Sequence, residues 1–246
     1  MDLGLTGRTA IVCGASSGMG LAIAESLTAE GANVAMFARR RDLLEREAER
    51  LSALAVRGDL TNPTHLEDLV GRTVKAFGGL DVLVMNGGGP PAGSAAAMTA
   101  EQVEAAVELL LTPHVRLLGF ALPHLQASDQ GRIVAVESTS VREPIANLAL
   151  SNAVRPGVVG WLRTLAHELG PDGITVNTIA PGRIDTDRLR SLFPAGFSGA
   201  DLEPVALRRL GTPAEIADVV CFLASSHASY VTGTVIPVDG GLLRGV

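Results

Sequence analysis

Tyrosine, lysine and cysteine are nearly missing from this chain of 246 residues: Tyr230 and Lys75 are single occurrences, and Cys13 and Cys221 are the only thiols. Two cysteines in separate apolar runs make neither a disulfide framework nor a metal cluster. No metal site is expected. Aromatic residues are only 3% of the chain, no basic tract is interleaved with them, and the net charge is −6. That balance opposes attraction to phosphate backbones, so nucleic acid is not an expected partner. No uninterrupted run of about 18 apolar residues marks a membrane span. Met1 to Arg8 lack the apolar stretch of a secretory signal, so a soluble, cytoplasmic protein is expected. No linker, repeat or low-complexity segment divides the sequence. With 47% hydrophobic residues it can bury one sizeable core, and residues 1–246 are expected to form one domain.

What is present is an alternation. Short β-branched runs at Thr9–Cys13, Asn33–Ala38, Leu54–Arg57, Leu80–Met85, Arg132–Val136, Ile174–Ile179 and Thr234–Val238 read as strands. Several are apolar almost throughout, as in a parallel sheet covered on both faces. Helical patterns fill the intervals at Gly18–Ala29, Asp42–Leu51, Pro63–Phe77, Ala100–Gln126, Leu150–Leu169 and Pro213–Ala224, with Asn62-Pro63 and Thr212-Pro213 as start signals. The expected fold class is therefore α/β, a Rossmann-type doubly wound parallel sheet of seven strands with helices on both faces. Ligands of such sheets bind at the carboxyl ends of the strands. The stretch from Pro181 to Gly211 reads as a long irregular loop carrying Leu189, Leu192, Phe193 and Phe197. It is a candidate substrate cover, with an ordinary surface excursion as the alternative.

Directly after the first strand comes Gly14-Ala15-Ser16-Ser17-Gly18-Met19-Gly20, opening a helix. Its glycines permit a tight turn, and the helix N-terminus offers free N–H groups to a pyrophosphate. At the end of the second strand, where an NAD-binding unit places an acid for the ribose hydroxyls, this chain has Arg39-Arg40-Arg41. Cations at a helix start oppose its dipole, which makes sense opposite a phosphate. NADP(H) is favoured over NAD(H); an arginine face partly offset by Asp42 and Glu45 is the competing interpretation. Asp59, followed by Leu60, is free of capping duty and could accept from an adenine amino group or close a local turn. Asn86-Gly87-Gly88-Gly89 puts bare backbone where a ligand must come close.

These segments, with Ile133-Val134 leading to Ser138, Val176-Asn177-Thr178-Ile179-Ala180-Pro181-Gly182, Val231-Thr232-Gly233 and Val238-Asp239-Gly240-Gly241, resemble the short-chain dehydrogenase/reductase family over nearly the whole length. The resemblance implies a nicotinamide cofactor, a small-molecule substrate and a homotetramer or homodimer. It places the cofactor along Gly14, Ser16, Ser17, Gly18, Met19, Gly20, Arg39, Arg40, Asp59, Leu60, Asn86, Gly87, Arg155, Pro181, Gly182 and Ile184.

The family's catalysis uses Ser, Tyr and Lys, with an Asn on the preceding long helix. Ser138 fills the serine position, but Ser151 stands where Tyr belongs, Arg155 where Lys belongs and Leu110 where Asn belongs. An aliphatic hydroxyl is a far weaker acid than a phenol, so Ser151 should not inherit proton donation. Arg155 stays charged and could still hold the nicotinamide ribose. His114 and Glu143 are the substitute proton donors in reach, each more commonly a packed or solvated residue. Glu137, beside Ser138, has no role assignable from sequence. Ser138, Ser151 and Arg155 are thus the candidate catalytic set of an NADP(H)-dependent carbonyl or imine reductase with a non-standard proton transfer. A cofactor-binding scaffold without turnover, or an isomerase or dehydratase using the same pocket, are the alternatives.

Overall fold

In the computed structural model, which describes residues 2–193 and 196–245, strands and helices alternate. The order is β1 (Thr9–Cys13), α1 (Gly18–Ala29), β2 (Asn33–Ala38), α2 (Arg41–Leu51), β3 (Leu54–Arg57), α3 (Pro63–Phe77), β4 (Val82–Asn86), α4 (Ala100–Leu110) and α5 (Thr112–Ala127). It continues with β5 (Arg132–Val136), α6 (Ala149–Leu169), β6 (Thr175–Pro181), α7 (Asp187–Leu192), α8 (Gly199–Leu202), α9 (Pro213–Ala224) and β7 (Val235–Val238). All seven strands pair in parallel in the order β3-β2-β1-β4-β5-β6-β7. The order reverses direction between β1 and β4, and the crevice opened at such a switch point is where a doubly wound sheet takes its ligand.

Period-two alternation along each strand divides the core between the two faces. Ile11 and Cys13 of β1 join Leu83, Ile133 and Val176 under α3, α5 and α6, while Ala10 and Val12 join Val34, Val84 and Val134 under α1 and α9. Each fully buried Leu or Phe contributes about 1.5–3 kcal/mol through burial, which fixes the strand register and with it the residues at the carboxyl edge. Both thiols lie inside these cores, and burial pushes each up to about 12.

Two expectations are corrected. The pattern Ala100–Gln126 forms two helices: Leu111 keeps right-handed helical backbone angles, but Pro113, in the first turn of α5, has no N–H to continue the ladder. Ala100–Ala127 is long and apolar enough to cross a membrane by length and composition alone. Ala106, Leu110, Leu117, Leu118, Ala121 and Leu125 of this pair are nonetheless buried in the domain core. The second correction concerns Pro181–Gly211, which contains α7 and α8. Thr186 caps the first by accepting from Leu189 N, and Ser198 with Asp201 forms a capping box on the second.

Candidate active site

At the end of β1 the chain turns through Gly14 (φ +64°) and Gly18 (φ +56°), a backbone that side chains disfavour. A Cβ on Gly20 would lie 2.3 Å from the Gly14 carbonyl oxygen, so close helix–loop packing also demands glycine. Asn86 Nδ2 donates to the Cys13 carbonyl at 3.0 Å, tying the ends of β1 and β4 together at the switch point. Helices α3, α4 and α9 have side-chain caps from Asn62, Thr99 and Thr212, whereas α1 has no side-chain cap and no acid in its first turn. Its free N–H groups and positive dipole end suit a pyrophosphate.

The three arginines after β2 part company. Arg40 Nη2 donates to Ser16 Oγ (3.3 Å) and to Ser17 Oγ, laying its guanidinium across the glycine loop. Arg41 pairs along its own helix with Glu45 at 3.6 Å, and the backbone oxygen of Arg39 accepts from Arg57 Nε at 3.4 Å. Asp59 Oδ1 accepts from Thr61 N (3.0 Å) and Thr61 Oγ1 (2.9 Å), closing a local turn. The backbone bond first, and the hydroxyl bond less, hold this carboxyl below its usual range. Leu60 lies against Gly87, its Cδ1 3.5 Å from where a Cβ would stand.

A cavity of about 490 Å³ opens beside this loop. It is lined by Met19, Asn86 and Gly87 from the cofactor side, by Ser138 just after β5 with Ser151 and Arg155 of α6, and by Pro181 at the end of β6 with Gly182 and Ile184 beyond it. Ser138 Oγ accepts from Ser140 N at 3.1 Å, which leaves its hydroxyl hydrogen free for a ligand. Ser151 Oγ accepts from Arg155 Nε (3.1 Å) and meets Ser140 Oγ at 3.2 Å. Arg155 Nη2 donates to the Gly88 carbonyl at 3.2 Å, and Nη1 donates to Glu137 Oε2 at 2.8 Å. Glu137 is wholly buried. Burial, its strongest influence, pushes the carboxyl up, and Arg155 pulls it back.

A family model, Enoyl-(Acyl carrier protein) reductase, matches residues 14–243. The chain belongs to the short-chain dehydrogenase/reductase family. This short-chain dehydrogenase/reductase is therefore an oxidoreductase of a family that uses NAD(P)H. It is 37% identical to the 3-oxoacyl-[acyl-carrier-protein] reductase MabA of Mycobacterium tuberculosis, over 97% of this chain and 94% of MabA. Among solved structures it resembles the L-sorbose reductase of Gluconobacter frateurii complexed with NADPH and L-sorbose (TM-score 0.92, 32% identity, 100% of both chains). It also resembles the NADPH-bound short chain oxidoreductase of Pseudomonas aeruginosa containing an atypical catalytic center (TM-score 0.91, 30% identity, 97% and 98% of the two chains).

Within this family member, the three candidate catalytic residues come together on one cavity wall, and the two substitute proton donors are placed differently from each other. His114 is not among the cavity-lining residues. It is buried with Nδ1 4.0 Å from Glu137 Oε1, and burial, reinforced by the Arg155 charge, pushes its pKa down to about 4. Burial thus holds this histidine in its neutral form near neutrality. Glu143 does line the cavity, but its Oε1 accepts from Arg244 N (3.1 Å) and Gly245 N (2.9 Å), clamping the C-terminal segment to the cavity wall. Gly182 is a glycine for packing: a Cβ there would sit 2.6 Å from Asp239 Cα. Glu137 is the residue sequence reasoning missed. An acid closing the apolar run Ile133–Val136 was the available signal, since a carboxylate is rarely buried unless paired.

Proposed function

We propose that this oxidoreductase transfers a hydride between NADP(H) and a carbonyl or imine carbon of a small organic substrate, with Ser138, Ser151 and Arg155 as its working set. The observation that carries this is their convergence on one cavity adjoining an uncapped helix N-terminus. Arg40 lying over Ser16 and Ser17 supports the 2′-phosphorylated cofactor, because a guanidinium at a loop rim suits a phosphate dianion better than bare hydroxyls. Bound NADP(H) would supply the hydride. Ser138, with its hydrogen uncommitted, donates to the substrate oxygen or nitrogen. Arg155, fixed by Glu137, Gly88 and Ser151, positions the nicotinamide ribose and offers positive charge to the developing anion without releasing a proton. Ser151 links Arg155 to Ser140, and water or an easily protonated substrate supplies the proton that a phenol gives elsewhere. Residues 1–246 work as one dinucleotide-binding unit within a homodimer or homotetramer.

The test is NADPH oxidation across aldehydes, ketones and imines, with NADPH affinity measured alongside. Turnover on at least one class is expected. Ser138→Ala should lower kcat/KM about tenfold or more, the rate equivalent of one hydrogen bond, while leaving NADPH affinity intact. Tight NADPH binding with no turnover on any class would overturn the reductase assignment in favour of a non-redox or non-catalytic role.

A further inference from the structure

Five arginines stand between positions 183 and 209, on the segment that covers the cavity. Three are neutralised by carboxylates: Arg190 by Asp185 and Asp187, Arg208 by Glu203, and Arg209 by Glu215. The other two, Arg183 and Arg188, have no carboxylate partner among the described residues, and these are the two that line the cavity. Among the described residues Arg183 Nη1 is buried without an acceptor, and its guanidinium lies 5.8 Å from the centre of the Phe193 ring. A buried N–H left unpaired in a folded protein calls for a partner the protein itself does not supply. Arg188 Nη2 donates to the Pro90 carbonyl at 2.7 Å. Arg155 donates to Gly88 of the same loop, so two guanidiniums converge there. Burial lowers the Arg188 pKa, and the nearby Arg155 charge adds to that effect.

Among the described residues no carboxylate lies within ion-pair reach of either, and the cavity wall sets only Glu137 and Glu143 against Arg155, Arg183, Arg188 and Arg244. Glu137 is engaged by Arg155, and Glu143 Oε1 by two backbone amides. Asp201 feels the charge of Arg183, yet its Oδ2 accepts from Ser198 N and Ser198 Oγ. A chain with a net charge of −6 thus carries uncompensated positive charge at the substrate end of its cleft. The cofactor's adenosine phosphate does not account for Arg183. Arg40 follows β2 and Arg183 follows β6, four positions apart in the sheet, or about 19 Å at the usual strand spacing.

Resting on the reductase assignment of the same cavity, we propose that the substrate is a carbonyl compound bearing a carboxylate or phosphate group, which Arg183 and Arg188 hold. Leu189, Leu192 and Phe193 of the covering segment then pack its apolar stem, and the carbonyl reaches Ser138. Guanidinium forks bind planar oxyanions by paired, charge-assisted hydrogen bonds, which gives orientation as well as affinity.

The experiment uses matched pairs on the NADPH-saturated protein: 4-oxopentanoate against its methyl ester, and dihydroxyacetone phosphate against dihydroxyacetone. For at least one pair, wild type should favour the anion in kcat/KM by about tenfold or more, as expected of a charge-assisted bond. Which pair responds tells carboxylate from phosphate. Arg183→Gln and Arg188→Gln should bring that ratio towards one while sparing the neutral member and NADPH affinity. Equal or better use of the neutral members by wild type would overturn the proposal and leave the reductase assignment standing. If neither pair is reduced, calorimetric titration of the NADPH complex with 4-oxopentanoate and with inorganic phosphate decides. Saturable binding that Arg183→Gln abolishes supports the site, and its absence in wild type overturns it. A loss of NADPH affinity in the two variants would assign these arginines to the cofactor and likewise overturn it.

Discussion

Glu137 and Arg155 form a buried pair at 2.8 Å, with side chains 0% and 10% exposed, so removing either partner should cost far more than removing both. In Glu137→Leu the largely buried guanidinium of Arg155 stays at the cavity wall without its carboxylate, keeping only Ser151 and Gly88 as partners. Breaking such a pair costs about 3–5 kcal/mol. At roughly 2–4 °C per kcal/mol for a chain of this size, the midpoint should fall by roughly 6–20 °C. In Glu137→Leu with Arg155→Met neither charge remains, and a well-packed apolar replacement ranges from neutral to about 4 kcal/mol more stable than the ion pair. The double variant should therefore recover most or all of the loss. The pairwise coupling, the double minus both singles, should be at least about 3 kcal/mol, large even for neighbouring residues. Urea and thermal unfolding at one fixed protein concentration, without NADPH, measure all four corners of the cycle, because ligand and association would both shift the midpoint. A Glu137→Leu protein within about 1 kcal/mol of wild type, or a double variant as unstable as the summed singles, would refute the assignment of Glu137 as the partner that keeps Arg155 in place.

Two further outcomes are expected. Arg40→Ala should weaken NADPH about tenfold or more in fluorescence titration, by loss of a charge-assisted contact to phosphate, and leave NADH nearly unchanged; an equal loss for both cofactors would contradict this. His114 has its pKa pushed down to about 4 in the folded protein from an ordinary 6.5. Between those values the unfolded chain binds the extra proton, so the stabilisation is fully present above about pH 6.5 and declines by about 3 kcal/mol as pH falls to about 4. Burial pushes the Glu137 carboxyl the opposite way and works against this trend in part of the same window. The clean measure is the stability difference between wild type and His114→Leu from pH 7 to pH 4. A difference that does not change with pH would exclude a buried neutral imidazole.

Much of the sheet was legible because its signal is local. Apolar runs such as Thr9–Cys13 and Arg132–Val136 coincide with strands, and Asn62-Pro63 and Thr212-Pro213 mark real helix starts. Boundaries slipped where context decides: the run beginning at Leu80 pairs only from Val82, and that beginning at Ile174 continues to Pro181. The two short helices of the covering segment were missed because apolar periodicity cannot register over four to six residues, although Thr186 and the Ser198–Asp201 box advertised their starts. At the site, family spacing located Ser138, Ser151 and Arg155. What joins them was not legible. The bond from Arg155 to Glu137 spans 18 positions, and that to Gly88 spans 67. Nothing in the run Arg39-Arg40-Arg41 says which side chain turns towards Ser16; the entry geometry of α2 decides it, with Arg40 as its N-cap.

The clamp on Glu143 makes the far end of the chain part of the doorway. Leu242, Leu243 and Arg244 line the cavity, and Leu243 N is also held by Asp239 Oδ2 at 2.8 Å. If the cavity takes substrate as proposed, a purification handle or fluorescent fusion added beyond Gly245 would start beside its lining and hinder access without touching the reacting groups. Asp2, whose carbonyl oxygen meets His227 Nε2 at 2.6 Å beside α9, is not among the cavity-lining residues, so the same handle placed ahead of it would leave that lining untouched. Two preparations of this protein differing only in where the handle sits could thus give different Michaelis constants while sharing one active-site chemistry.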